Sequence, residues 1–126
     1  MRTDREKIAA LRRIVDAAWQ VEQSRTARIA SEEAALRNRI DALSACRQDR
    51  LQDLTRGPDA ARLAGADPLW ESWIDGRRSD LLTELARLLA QKDRAQRRLA
   101  RAFGRREAAT GIAHGNAPQS GRPDQP

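Results

Sequence analysis

The fold is decided by a stretch without helix breakers, which reads MRTDREKIAALRRIVDAAWQVEQSRTARIASEEAALRNRIDALSACRQDRLQDLTR (residues 1–56). It contains no glycine and no proline, and Ala, Leu, Arg and Glu, which are good helix formers, dominate it. The stretch predicts one helix over residues 3–56, with Thr3 and Asp4 as candidate N-caps. Because so long and polar a helix is not stable alone, it requires a partner helix.

Apolar residues recur along this helix with heptad spacing. One series comprises Ile8, Val15, Ile29, Leu36 and Leu43, and it is interrupted at Glu22 and Arg50. A second series, three or four residues further on, comprises Leu11, Ala18, Ile40 and Cys46. The stripe is narrower than the buried face of a globular helix and is typical of a coiled-coil seam. We interpret Cys46, the only cysteine, as a small buried side chain of this seam.

A second helix is predicted over residues 68–109, after a link at residues 57–67. Gly57-Pro58 ends the first helix, and Asp67-Pro68 begins the second. Its seam is the more regular of the two and comprises Ile74, Arg78, Leu81, Leu85, Leu88, Lys92, Ala95, Leu99 and Ala102. Residues 110–126 are rich in proline and glycine and predict a disordered tail.

Two long helices with a short link favour an antiparallel hairpin. The predicted fold class is therefore all-α, a long two-helix antiparallel coiled-coil hairpin over residues 1–109 with a disordered C-terminal tail. Pairing outward from the link places Leu36 near Leu88 and Leu51 near Trp73. The alternative is a parallel dimer of straight chains, which the proline-glycine breaks disfavour because they interrupt the heptads.

Composition points away from catalysis. The 126 residues include only four aromatic side chains, and a third of the chain is charged, which leaves no sizeable core for a pocket. We find no phosphate-binding loop, no CxxC motif and no base near His114, the only histidine. We predict no enzymatic activity, no metal site and no cofactor. Without an apolar signal or spanning segment in the sequence, a cytoplasmic location is expected.

Positive charge is concentrated near both ends of the chain segment that forms the predicted hairpin. Residues 1–13 carry five basic and two acidic side chains, and residues 91–107 carry seven basic and two acidic ones. Residues 14–90, by contrast, carry eleven basic and thirteen acidic side chains. Antiparallel pairing brings the two basic stretches together at the open end, which predicts an acidic partner. The predicted partner-binding residues are Arg2, Arg5, Lys7, Arg12, Arg13, Trp19, Arg94, Arg97, Arg98, Arg101, Arg105 and Arg106.

The three tryptophans receive different interpretations. Trp70 and Trp73 are predicted to form a hydrophobic plug near the bend of the hairpin. Trp19 lies off the predicted seam, so we interpret it as an exposed anchor for a partner.

The second half of the chain carries a family resemblance in Asp67-Pro-Leu-Trp-Glu-Ser-Trp, Leu81-Leu-Thr-Glu-Leu-Ala and Arg101-Ala-Phe-Gly-Arg. With its basic tip and hairpin layout, the chain resembles over residues 1–109 the FliJ/YscO family of stalk proteins of flagellar and type III secretion export ATPases. The resemblance implies a cytosolic, non-enzymatic stalk that couples the export ATPase to its gate. It implies as partners the export ATPase hexamer, the membrane export gate protein and export chaperones, with at most peripheral contact with the membrane.

Two other functions stay open at this stage. The basic tip could neutralise the phosphates of a nucleic acid, although aromatic side chains are not interleaved with the basic ones and no base-reading motif is present. The chain could also be a generic coiled-coil scaffold.

Overall fold

The computed structural model describes residues 3–55 and 67–115. Two helices, α1 (Asp4–Thr55) and α2 (Asp67–Ala113), pack against each other, and no strand occurs in these two ranges. The predicted all-α, two-helix fold is confirmed. The predicted stop at Gly57-Pro58, the rest of the link up to residue 66, and tail residues 116–126 lie outside the described residues. Helix α2 continues to Ala113, so the predicted start of the tail at residue 110 is wrong.

Both chain-terminal helix ends are capped by side-chain or backbone hydrogen bonds. At the start of α1 the Glu6 amide donates to Thr3 Oγ1 and the Thr3 amide donates to Glu6 Oε2, both at 3.2 Å. This reciprocal pair is a capping box, and it makes Thr3 rather than Asp4 the N-cap. At the end of α2, Gly115 adopts a φ of 75° and its amide donates to the carbonyl of Ile112 at 3.0 Å. This left-handed conformation cannot continue a right-handed helix, so α2 ends here, and glycine adopts it at little cost because it has no Cβ.

The chain divides into two compact units, each with a segment of both helices. We call them the terminal unit (Met1–Arg28 and Asp93–Pro126) and the central unit (Ile29–Lys92). In the central unit Ile40, Leu81 and Leu85 form a buried cluster, against which Leu36 and Leu43 pack. Ile29, Ile74 and Leu88 are also buried in this unit. Since full burial of one such side chain stabilises the fold by about 1.5–3 kcal/mol, apolar burial is a main source of stability in the central unit.

Ion pairs across the central unit establish how its two segments align. Lys92 Nζ lies 2.7 Å from Glu33 Oε1, and Arg47 Nη1 lies 3.2 Å from Asp75 Oδ1. The earlier residue of α1 pairs with the later residue of α2, so the segments are antiparallel. The Glu33–Lys92 pair lies within one helical turn of the predicted Leu36–Leu88 alignment and confirms it.

The second seam series predicted for α1 is largely wrong. Leu11, Ala18 and Cys46 are exposed, and only Ile40 of that series is buried. A different set of α1 residues is partly or fully buried, and each lies four positions after a step of the first series. The set comprises Trp19, Thr26, Glu33, Ile40 and Arg47. Glu22 and Arg50, which the sequence treats as interruptions, are also partly buried. The prediction failed because this seam includes charged side chains that are paired across the helices.

Gly76 is an exposed glycine inside α2, and a Cβ built on it meets no atom within 4 Å. We expect Gly76→Ala to raise the free energy of unfolding by about 0.4–1 kcal/mol, because alanine restricts the unfolded chain and favours the helix. Urea denaturation checks this. Gly115→Ala is the control, since its φ of 75° strains any side chain and no gain is expected there. Equal stabilisation at both positions would contradict the explanation.

Glu33 supplies a pH-dependent part of the stability. Its pKa is lowered from the ordinary value of 4.5, first by the hydrogen bond from Lys92 and then by that from Arg37 Nε, at 2.9 Å. A lowered pKa means that this stability is present above the ordinary value and is lost as the pH falls through the folded value. We expect wild type to melt above Glu33→Gln at pH 7, and this difference to shrink below about pH 4.5.

Glu32→Gln is the matched control for this measurement, because Glu32 is exposed and makes no ion pair with any described residue. Thermal unfolding followed by circular dichroism at pH 7 and pH 3 decides the question. A Glu33→Gln variant whose melting temperature differs from that of wild type by the same amount at both pH values would refute the role of Glu33.

Candidate partner-binding surface

The terminal unit brings the start of α1 and the end of α2 together. Arg5, Ile8 and Arg12 line one groove with Ala113, and Ala18 and Glu22 line another with Arg98, Arg101 and Arg105. The antiparallel direction follows from two ion pairs, Asp16 with Arg106 and Glu22 with Arg98. The two basic stretches of the sequence therefore lie in one unit, as predicted, apart from Gln91 and Lys92, which belong to the central unit. Arg2 lies outside the described residues.

Charge differs sharply between the units. Residues 3–28 and 93–115 of the terminal unit carry twelve basic and six acidic side chains, a net charge of +6. Residues 29–55 and 67–92 of the central unit carry eight basic and ten acidic ones, a net charge of −2. A positive surface of this kind attracts an anionic partner at long range.

Four of the predicted binding residues already contact other side chains of the terminal unit. Arg106 Nε donates to Asp16 Oδ1 at 2.9 Å, and the guanidinium lies 4.1 Å from the centroid of the Trp19 ring. Trp19 is partly buried and makes this cation–π contact, so the prediction that its side chain is exposed is wrong, while its role in partner binding stays a prediction. Arg98 Nε lies 3.7 Å from Glu22 Oε2, and Arg97 Nη2 lies 2.9 Å from Asp93 Oδ2.

The Glu22–Arg98 pair is partly buried and incompletely satisfied. Glu22 Oε2 and Arg98 Nε are both shielded from solvent, yet neither has a hydrogen-bond partner in the described part of the chain. Arg25 Nη1 lies 3.2 Å from the other carboxylate oxygen of Glu22. Since removal of Glu22 would leave the shielded Nε of Arg98 without its ion-pair partner, we assign Arg98 a structural role.

The remaining predicted cations are available to a partner. They are exposed and make no ion pair with any described residue, and they are Arg5, Lys7, Arg12, Arg13, Arg94, Arg101 and Arg105. An exposed cation without an internal partner can form a new ion pair at little cost in desolvation, because it gives up no existing contact. These seven residues, which we call the basic surface, are the candidate functional site.

The predictions from the sequence did not include an apolar stripe on the exposed side of the terminal unit. Ile14 is 66% exposed and Val21 is 55% exposed, and Leu11 and Ala18 lie on the same face of α1. The signal is present in the sequence as steps of three, four and three residues. This signal does not stand out in the sequence, because Leu11 and Ala18 also fit the spacing of the predicted seam with α2.

The tryptophans of the central unit also differ from their prediction. Trp70 is partly buried, and the guanidinium of Arg50 lies 5.1 Å from the centroid of its ring. Trp73 is 62% exposed and Leu51 is 38% exposed, so neither contributes to a closed hydrophobic plug. Their predicted pairing is therefore not a buried contact.

No protein-family model, curated protein or solved structure matches this chain. The FliJ/YscO resemblance therefore stays a prediction. Across the described residues, no group of three or more His, Cys, Asp or Glu side chains is arranged to hold a metal ion. None of the described helices is both apolar and long enough to cross a membrane.

Proposed function

We propose that this protein is a non-enzymatic adaptor whose terminal unit docks, through its basic surface, onto an acidic protein. In line with the resemblance, the adaptor is a cytoplasmic stalk of a flagellar or type III export apparatus. It binds the export ATPase hexamer and couples it to the export gate protein, and it also contacts export chaperones. The observation that supports the proposal is the set of seven exposed cations without internal partners.

Charge reversal tests the proposal. We expect the triple variant Arg94→Glu, Arg101→Glu and Arg105→Glu to bind a purified export ATPase at least about tenfold more weakly, and to lower the stimulated ATP hydrolysis. Each exposed pair contributes about 0.2–1 kcal/mol, so three reversals are needed for a clear effect. Arg98 is left unchanged because its reversal would place two carboxylates together at Glu22.

A matched control uses the central unit. Arg39, Arg77 and Arg78 are exposed and make no ion pair with a described residue. Their reversal to glutamate changes the net charge by the same amount and should leave ATPase binding within about twofold of wild type, because none of these residues belongs to the basic surface. Equal loss in both variants would show that only total charge matters and would contradict a docking site in the terminal unit.

Nucleic-acid binding is the competing function, because the same exposed arginines could contact phosphates. A nucleic-acid-binding protein would bind random duplex DNA, with affinity falling by about 10³–10⁵ between 50 and 200 mM salt if it made six to ten phosphate contacts. Such binding, without any effect on an export ATPase, would replace the stalk proposal.

A further inference from the structure

The basic surface borders an apolar stripe, and the two together form an amphipathic face. Leu11, Ile14, Ala18 and Val21 follow one another along α1 in steps of three, four and three residues, which places them on one side of the helix. Ala18 lines the same groove as Arg101 and Arg105 of α2. An apolar stripe and two unpaired arginines therefore lie side by side on the terminal unit.

We propose that this face binds an acidic amphipathic helix of a partner protein. The spacing of the stripe is that of a coiled-coil seam, so it matches the apolar residues of a third helix. Acidic side chains flanking the apolar residues of that helix would meet Arg101 and Arg105. The inference rests on the proposed function and deepens it, because it specifies the type of partner segment.

Charge distinguishes this occupant from two others. A second copy of the chain would bring one terminal unit, with its net charge of +6, against another, and like charges oppose such contact. A nucleic acid would satisfy the arginines, but its phosphates would gain nothing from Ile14 and Val21, which are 66% and 55% exposed. Only a partner that is both apolar and acidic uses the whole face.

A designed peptide provides the test. The probe is a helical peptide of about 21 residues, three heptads, with leucine at its a and d positions and glutamate at the flanking positions. Two control peptides replace either every leucine by serine or every glutamate by lysine. Fluorescence anisotropy should detect binding of the probe to the full chain, with at least about tenfold weaker binding of each control peptide. Equal binding of the serine peptide would overturn the inference.

Variants of the protein locate the site. Ile14→Gln combined with Val21→Gln should weaken binding of the probe peptide at least about tenfold, while the helical circular dichroism stays unchanged because both side chains are exposed. Leu82→Gln combined with Leu89→Gln is the matched control, since these leucines are 42% and 37% exposed in the central unit. Similar loss of binding in both variants, or in neither, would overturn the assignment.

Two further measurements address the other occupants. Sedimentation equilibrium of the wild type should show a monomer, and a dimer broken by the Ile14 and Val21 substitutions would overturn the inference. Vesicles containing phosphatidylglycerol should bind the double variant as they bind wild type, and selective loss would assign the face to a membrane surface instead. The peptide assay contains no ATPase. Peptide binding without an ATPase effect therefore refutes only the stalk, and an ATPase effect without peptide binding refutes only this inference.

Discussion

Leu81→Asp combined with Leu85→Asp should abolish most of the helical circular dichroism signal at 25 °C. These leucines are 1% and 8% exposed and form, with Ile40, the buried cluster of the central unit. Truncation of a buried leucine alone costs about 2–5 kcal/mol, and the unpaired carboxylates add a desolvation penalty. The combined loss is comparable to the whole stability of a typical domain, about 5–15 kcal/mol.

A control on the same helix separates burial from helix propensity. Leu82→Asp with Leu89→Asp introduces the same residues at positions that are 42% and 37% exposed. We expect this variant to retain most of its helicity, because aspartate there remains hydrated. If the two double variants lost equal signal, the buried seam would be wrongly identified.

Trp19→Ala should destabilise the fold by about 2–3 kcal/mol in urea denaturation, since it removes a half-buried aromatic surface and the cation–π contact with Arg106. Asp16 would still hold the guanidinium of Arg106 through its hydrogen bond, so the helices should remain paired. The expected result is a folded protein with a lower urea midpoint.

Trp73→Ala is the matched control, because Trp73 is 62% exposed. Its removal should change the free energy of unfolding by less than about 0.5 kcal/mol, as is usual at exposed positions. If Trp73→Ala lowered the free energy of unfolding more than Trp19→Ala, the interpretation from the sequence would be correct, in which Trp73 is packed and Trp19 is exposed.

The seam of α2 could be predicted because apolar residues occupy seven of its nine steps, and burial of apolar area determines which face turns inward. The seam of α1 could not be predicted in full. Glu33 and Arg47 occupy seam positions and are charged, and nothing local indicates that Lys92 and Asp75 meet them. Local pattern therefore favoured Leu11 and Cys46, which the structure leaves exposed.

The candidate site shows the same division. Clustering of positive charge follows from the linear sequence once the helices are antiparallel, and it was predicted. Which of these side chains are engaged in internal contacts could not be predicted, because that depends on contacts between the two helices. Arg106 covers Trp19, and Arg98 meets Glu22, so two residues that look equivalent to Arg101 and Arg105 in sequence are engaged internally.

The ion pair between Glu33 and Lys92 favours one alignment of the two helix segments in the central unit over the others. If one helix segment slid along the other by one heptad, leucines that repeat every seven residues would still meet leucines. Apolar contacts alone therefore penalise such a slide only weakly. Such a slide would bring Leu85 opposite Glu33 and leave its carboxylate without Lys92. Replacement of both charged residues by leucine would therefore strengthen the seam while it removes the feature that selects one alignment from several.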